Sequence, residues 1–284
     1  MIENVTSYME ADAFIAFRST CRDVHSKTSR DFCIRVLNQQ WLLRKDSIAT
    51  VTRVAEDPRF TDKMHKLWLG THDLNGFWNR DDHRDEGWKA YVSLTREQDA
   101  FLAGGVASDP LFLVMSKMPA LRSIEIGEWC KPDEKLRVGW SGNRIAQLTG
   151  QHLCSHYYGR APDTTDAPKQ KGEWRICESY SDDTLSEHLG IVLLALSRTQ
   201  QAVESLAAHL SSEAVGMHGI FIDKLPNGVL KLGQYRTVYQ GLQNAFRRLQ
   251  SLRMTLDYTN IVDGCDLRED MMAWLGRFVK LMPC

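Results

Sequence analysis

Met64-His65-Lys66-Leu67-Trp68-Leu69-Gly70 is the stretch that decides the fold. Its apolar residues stand at Met64, Leu67 and Leu69, an apolar-x-x-apolar-x-apolar spacing. The alternation at its end has the period of a strand with one buried face. The spacing recurs at Leu121/Ile124/Ile126, at Val203/Leu206/Ala208 and at Leu249/Leu252/Met254, with Leu256 beyond. Helical stretches precede the last three. One starts at Asp109-Pro110, with Asp as N-cap and Pro at the first helical position, and runs through Phe112, Val114 and Met115 to Met118-Pro119. The next runs from Asp183 or Thr184 through Leu189, Val192, Leu193 and Leu196, and the third from about Tyr235 to Phe246.

A helix, a short connection and such a strand resemble the unit of a leucine-rich repeat. One unit cannot bury its own apolar face, so units must stack. Segments 64–70, 121–127, 203–209 and 249–256 are therefore predicted to be neighbours in one curved, mainly parallel sheet with the helices outside. The spacings between units are irregular, and the Asn that usually follows the repeat strand is absent. Residues alternating with the buried ones, Lys66, Trp68, Ser123, Glu125, Ser205, Ala207, Ser251, Arg253 and Thr255, should share the concave face. Among them Lys66, Trp68, Glu125 and Arg253 make a candidate target-recognition patch, since a large aromatic ringed by charges is a common anchor at interfaces.

The first residues carry a second signal. Ile2, Val5, Tyr8 and Met9 form a helical stripe; the polar hinge Glu10-Ala11-Asp12 follows; Ala13, Phe14, Phe17, Cys21 and Val24 form a second stripe. Helices this short cannot bury both apolar faces against each other, so the pair needs a partner. The run Ser7-Tyr8-Met9, the hinge, and Phe14-Ile15-Ala16-Phe17-Arg18-Ser19-Thr20-Cys21-Arg22 resemble the F-box, the helical motif that docks substrate receptors onto the Skp-type adaptor of cullin–RING ubiquitin ligases. Asp23-Val24-His25-Ser26-Lys27-Thr28 is similar to the continuation common in filamentous-fungal F-box proteins, whose C-terminal regions look like degenerate repeats with long insertions. The family usually opens with Leu-Pro-x-Glu, which would fall before Met1, so the motif reads as incomplete at its start. The resemblance implies an adaptor-binding surface of Ile2, Val5, Met9, Phe14, Ile15 and Phe17.

Between these signals the chain divides into an F-box-like module, residues 1–35, and a repeat-like region, residues 36–284. A helix over 29–36, a strand over the apolar stretch 36–43 and a helix from Asp46 or Ser47 to about Glu56, ended by Asp57-Pro58, follow the first helices. Residues 74–87 are predicted to be a surface loop, and 128–182, rich in Gly, Pro, Lys and Asp, an insertion. Residues 270–282 should form an amphipathic helix with Met271, Trp274, Leu275, Phe278 and Met282 on one side, either a cap or the start of a further repeat.

The composition is that of an ordinary folded protein, 43% hydrophobic and 25% charged. A net charge of -1 carries no footprint for nucleic acid or anionic membrane. The longest apolar run, 189–196, is core-sized, far short of a membrane span. Seven scattered cysteines without a C-x-x-C pair fit a reducing compartment, here the cytoplasm or nucleus. His152, Cys154 and His156 are zinc-type ligands, but no fourth stands at a usual spacing, and an edge strand or loop accounts for them. The run Asp81-Asp82-His83-Arg84-Asp85-Glu86 has the mixed sign of a solvated loop. No phosphate loop, nucleophile elbow or zinc-protease motif appears, so neither a cofactor nor a metal is expected.

The sequence therefore points to an α/β protein: a short helical F-box-like module followed by an irregular leucine-rich-repeat-like solenoid. Its expected role is a non-catalytic substrate receptor, with the Skp-type adaptor, the cullin core and a target protein as partners. A repeat-type interaction module without ligase docking is the second reading. A hydrolase or transferase working from the insertion is the third.

Overall fold

The computed structural model describes residues 16–28, 40–71, 86–127, 153–154, 176–177, 184–209, 220, 225–256 and 267–282. Its strands are β1 (Trp41–Leu42), β2 (Lys66–Gly70), β3 (Ser123–Gly127), β4 (Leu153–Cys154), β5 (Ile176–Cys177), β6 (Ser205–His209) and β7 (Ser251–Met254). Its helices are α1 (Arg22–Lys27), α2 (Lys45–Glu56), α3 (Pro58–Thr61), α4 (Glu86–Leu102), α5 (Ser108–Ser116), α6 (Thr184–Arg198), α7 (Asn227–Leu230), α8 (Arg236–Phe246) and α9 (Leu267–Val279).

All four apolar-x-x-apolar-x-apolar segments are strands of one sheet, in the order β1-β2-β3-β6-β7, every pair parallel. Each new strand is laid beside the one before it, with a helix in each connection between β2 and β7. The registers align the repeats residue for residue: Lys66 opposite Ser123, Ser123 opposite Ser205, and Ser205 opposite Ser251. The strand entries are alike too. His65 O accepts from Arg122 N (2.8 Å) and Ser123 N (2.9 Å). Arg122 O accepts from Glu204 N (2.7 Å) and Ser205 N (3.0 Å), and Glu204 O from Gln250 N (2.8 Å) and Ser251 N (3.1 Å). One backbone device is thus used three times, and it sets the register before the first strand residue.

The alternation divides the sheet's two faces. Leu67, Leu69, Ile124, Ile126, Leu206 and Ala208 are fully buried in one core with Ile48 and Val51 of α2, Leu111, Val114 and Met115 of α5, Leu189, Val192, Leu193 and Leu196 of α6, and Leu242 and Phe246 of α8. Burying a side chain of this size stabilises by about 1.5–3 kcal/mol. The helical layer is closely packed: a Cβ on Gly241 of α8 would lie 1.7 Å from the Ser197 carbonyl oxygen of α6, so only glycine permits that approach. At the far end α9 covers the layer. Trp274 stacks on Phe278 (4.7 Å), Phe278 meets Phe246 edge-on (5.6 Å), and Trp274 Nε1 donates to the Val229 carbonyl at 3.1 Å. The amphipathic helix expected over 270–282 is present within α9 and the turn after it, with Leu275 and Met282 partly buried against the core.

Several expectations are corrected in detail. Residues 86–87 belong to α4 and not to a loop; the seventeen-residue helix they open was not anticipated, because its side chains alternate too irregularly, with Gln98 buried where a stripe would place an apolar residue. At α5 the cap position is Ala107, and Asp109 stands in the first turn, where it pairs with Arg198 of α6. At α2 the cap position is Arg44, and Asp46 accepts from Ser47 N at 2.9 Å and Arg44 Nε at 3.3 Å. Of the strand expected over 36–43, residues 36–39 lie outside the described residues, and among the rest Trp41–Leu42 is strand. The second N-terminal stripe is not one helix. It stops at residue 18, where Thr20 N (3.1 Å) and Thr20 Oγ1 (2.7 Å) both bond the Phe17 carbonyl. Cys21 is extended, and its Sγ accepts from Val24 N to start α1. The helix expected over 29–36, the loop over 74–85 and most of the 128–182 stretch lie outside the described residues.

Candidate functional site: the open face of the sheet

The face opposite the helices carries three aligned rows. The first is Lys66, Ser123, Ser205, Ser251 and the second Trp68, Glu125, Ala207, Arg253. The third begins with Gly70, Gly127 and His209. Strand alternation puts these side chains on one side, and their burial agrees: Lys66, Trp68, Ser123, Glu125, Ser205, Ala207 and His209 are half-buried, Ser251 and Arg253 exposed.

Three of the four candidate recognition residues cluster. Lys66 Nζ forms an ion pair with Glu125 Oε2 across the β2–β3 step. The same ammonium stands 5.2 Å from the centre of the Trp68 ring, close enough for a cation–π attraction of about 0.5–1 kcal/mol. Lys66 therefore covers part of Trp68. The fourth, Arg253, is not in the cluster. It lies on β7, two strands from Glu125 with Ala207 between, which is ~10 Å at ordinary strand spacing.

His209 completes the cluster and was missed from sequence. Its Nε2 lies 3.5 Å from Glu125 Oε1, and its side chain is 17% exposed. Counting the alternation one step beyond Ala207 would have found it. Its Nδ1 is buried, with no hydrogen-bond partner among the described residues. Glu125 thus sits between two nitrogen partners from adjacent strands. Gly127 makes room beside this group, because a Cβ there would lie 2.4 Å from the His209 carbonyl oxygen. Near β1 the face is closed: Gln40 Nε2 reaches over Gly70 to the Gly127 carbonyl at 2.6 Å, and Gln40 and Leu42 are buried.

Chemically the face can pair charges, donate from hydroxyls and offer an aromatic edge. Among its described side chains there is no nucleophile–base pair of the kind acyl or phosphoryl transfer needs. Among the described residues no group of three or more His, Cys, Asp or Glu is placed to hold a metal ion. Cys154 lies opposite Cys177 in the β4–β5 pair, while His152 and His156 lie outside the described residues. On the helical side, a cavity of about 470 Å³ between α2 and α4 is lined mainly by Ile48, Ala49, Ala100, Phe101, Val106 and Pro110, with Lys45, Thr52 and Glu97 at its polar points. It brings no convergent polar groups to one spot.

Of the adaptor-binding residues expected from sequence, Ile2, Val5, Met9, Phe14 and Ile15 lie outside the described residues, and Phe17 is half-buried. The turn after Phe17 is tied down by Arg18, whose Nη1 donates to Thr28 Oγ1 (3.0 Å) and the His25 carbonyl (3.3 Å). Among the described residues no helix is long and apolar enough to cross a membrane.

Comparison of the chain with protein-family models, with curated proteins and with solved structures returns no match.

Proposed function

We propose that the chain is a substrate-receptor subunit of a cullin–RING ubiquitin ligase, built as an F-box-like module (residues 1–35) followed by a degenerate leucine-rich-repeat-like solenoid (residues 36–284). The observation that carries the solenoid half is the threefold strand entry, with its identical register across β2, β3, β6 and β7. Repetition of one helix–strand unit with nearest-neighbour contacts is how repeat proteins make a broad binding face. The docking half rests on the resemblance of residues 7–28 to the F-box.

In this reading no residue of the chain performs chemistry. The apolar surface of Ile2, Val5, Met9, Phe14, Ile15 and Phe17 holds the adaptor. The open face, through Lys66, Trp68, Glu125 and Arg253, holds the target. Tethering then raises the effective concentration of target lysines near the charged ubiquitin carrier. The proteins would meet in the cytoplasm or nucleus, where that machinery works.

The test is reconstitution. The chain, preceded by a Leu-Pro-x-Glu turn, is mixed with purified Skp-type adaptor and cullin–RING core and passed over a sizing column. Co-elution with the core is expected, and its loss on combining Phe14→Ala with Phe17→Ala. Separate elution of the unsubstituted chain would leave the interaction module without ligase docking as the better account.

A further inference from the structure

The charges of the open face are unevenly settled. Its carboxylate, Glu125, is taken twice, by Lys66 and by His209. At the sheet's entry edge Arg122 Nη1 and Glu204 Oε1 stand 3.6 Å apart. Arg253 is exposed on β7, and no described residue forms an ion pair or hydrogen bond with its side chain. Beside it the sheet surface is low: Ser251 is its neighbour on the same strand face, and Ala207 and Ser205 lie on the adjacent strand. A guanidinium over a small, hydroxyl-bearing floor is open to bidentate pairing with a carboxylate.

Resting on the receptor reading above, we infer that the target is held by an extended acidic segment that crosses the strands of the open face, with an Asp or Glu carboxylate on Arg253 and an apolar side chain against the edge of Trp68. The register sets the spacing. Trp68 and Arg253 stand in the same row three strands apart, ~14 Å. An extended chain advances ~3.3–3.6 Å per residue, so acid and apolar anchor are about four residues apart. The row between them holds Glu125, paired with Lys66, and then Ala207, and the small side chains of Ala207 and the flanking Ser205 leave room for a backbone beside Arg253. Glu125 does not repel the segment, because Lys66 already neutralises it. Phosphate is the poorer fit: it brings close to two negative charges and is usually met by a cluster of arginines, whereas here the second cation of the face is committed to Glu125.

A phage-displayed library of random ten-residue peptides, panned against the whole chain, tests this. The selected peptides are expected to carry Asp or Glu about four positions from a large apolar residue. Panning on Arg253→Glu should exchange the acid for Lys or Arg while keeping the apolar residue, and Ala207→Trp, which fills the floor, should abolish selection. For one synthetic selected peptide, replacing its acid by Asn should weaken binding roughly five- to tenfold, the scale of a partly desolvated ion pair. Peptides that depend on Trp68 but show no acid preference, or ignore Arg253→Glu, would overturn the acidic segment while leaving the open face as the receptor surface. A phosphoserine peptide binding more than tenfold tighter than its Asp counterpart would overturn the carboxylate. Peptides indifferent to Trp68→Ala, Arg253→Glu and Ala207→Trp alike, or no selection at all, would overturn both the segment and the receptor face.

Discussion

The two faces of the central sheet are built from the same strands and share almost nothing chemically. Toward the helices, Leu67, Leu69, Ile124, Ile126 and Leu206 are sealed into one core. On the opposite side, one residue away along each strand, stand Lys66, Trp68, Glu125, Ser205 and Arg253, half-buried or exposed. Neighbouring residues therefore answer to different demands. The buried set is held by packing, where a missing methylene is felt at once. Within the open set, Lys66 and Glu125 are held by an ion pair with solvent in reach, and such pairs contribute little to stability. In the proposed receptor, stability and recognition are separated by a single step of the strand period.

That separation gives the largest expected effect. Leu69→Ala should destabilise the chain by about 2–5 kcal/mol, since it leaves a cavity in a packed core. Arg253→Glu, at an exposed strand position with no ion-pair or hydrogen-bond partner for its side chain among the described residues, should stay within about 0.5 kcal/mol. Equilibrium urea unfolding measures both, and comparable losses would erase the distinction between the faces.

Next in size is the helical layer. Gly241→Ala should cost roughly 1–3 kcal/mol, because the added methyl meets the Ser197 backbone and one of the two helices must shift. A variant as stable as the parent in the same urea titration would show that the α6–α8 contact is looser than described.

The smallest effect lies at the hinge between α2 and α3. Asp57 accepts from Arg59 N at 2.9 Å and from the Arg59 guanidinium, which holds its carboxyl near a pKa of about 2 against the ordinary 3.8. A carboxylate lowered on folding adds stability above its unfolded pKa and loses it as pH falls through the folded value. The parent should therefore lose a small increment of stability between about pH 4 and pH 2 that Asp57→Asn does not, read from thermal midpoints across that window. Parallel curves for the two proteins would remove the ion pair from the account.

How much of this was legible in the sequence follows from what each signal averages over. The four longer strands and their shared face were readable because alternation is reinforced at every residue, and because four copies repeat it. The helix α4 was not readable, since its buried Gln98 and scattered apolar residues blur the 3.6-residue period. The break at residues 19–21 was hidden because it is made by a Thr hydroxyl and a Cys cap inside an apolar stripe that continues across it. For the site, alternation placed Lys66, Trp68 and Glu125 together, but the strand order and spacing that set Arg253 apart exist only in three dimensions. His209 was within reach of the same rule, one alternation further along β6.

The receptor account is tested most directly by calorimetric titration of purified Skp-type adaptor into three proteins: the chain preceded by Leu-Pro-x-Glu, its Phe17→Ala variant and its Arg253→Glu variant. Saturable binding by the first is predicted, weakened by about 2 kcal/mol or more in Phe17→Ala, as for a central aromatic anchor, and unchanged in Arg253→Glu. No heat of binding from the first protein, or equal weakening by both substitutions, would contradict the assignment of docking and target capture to separate parts of the chain.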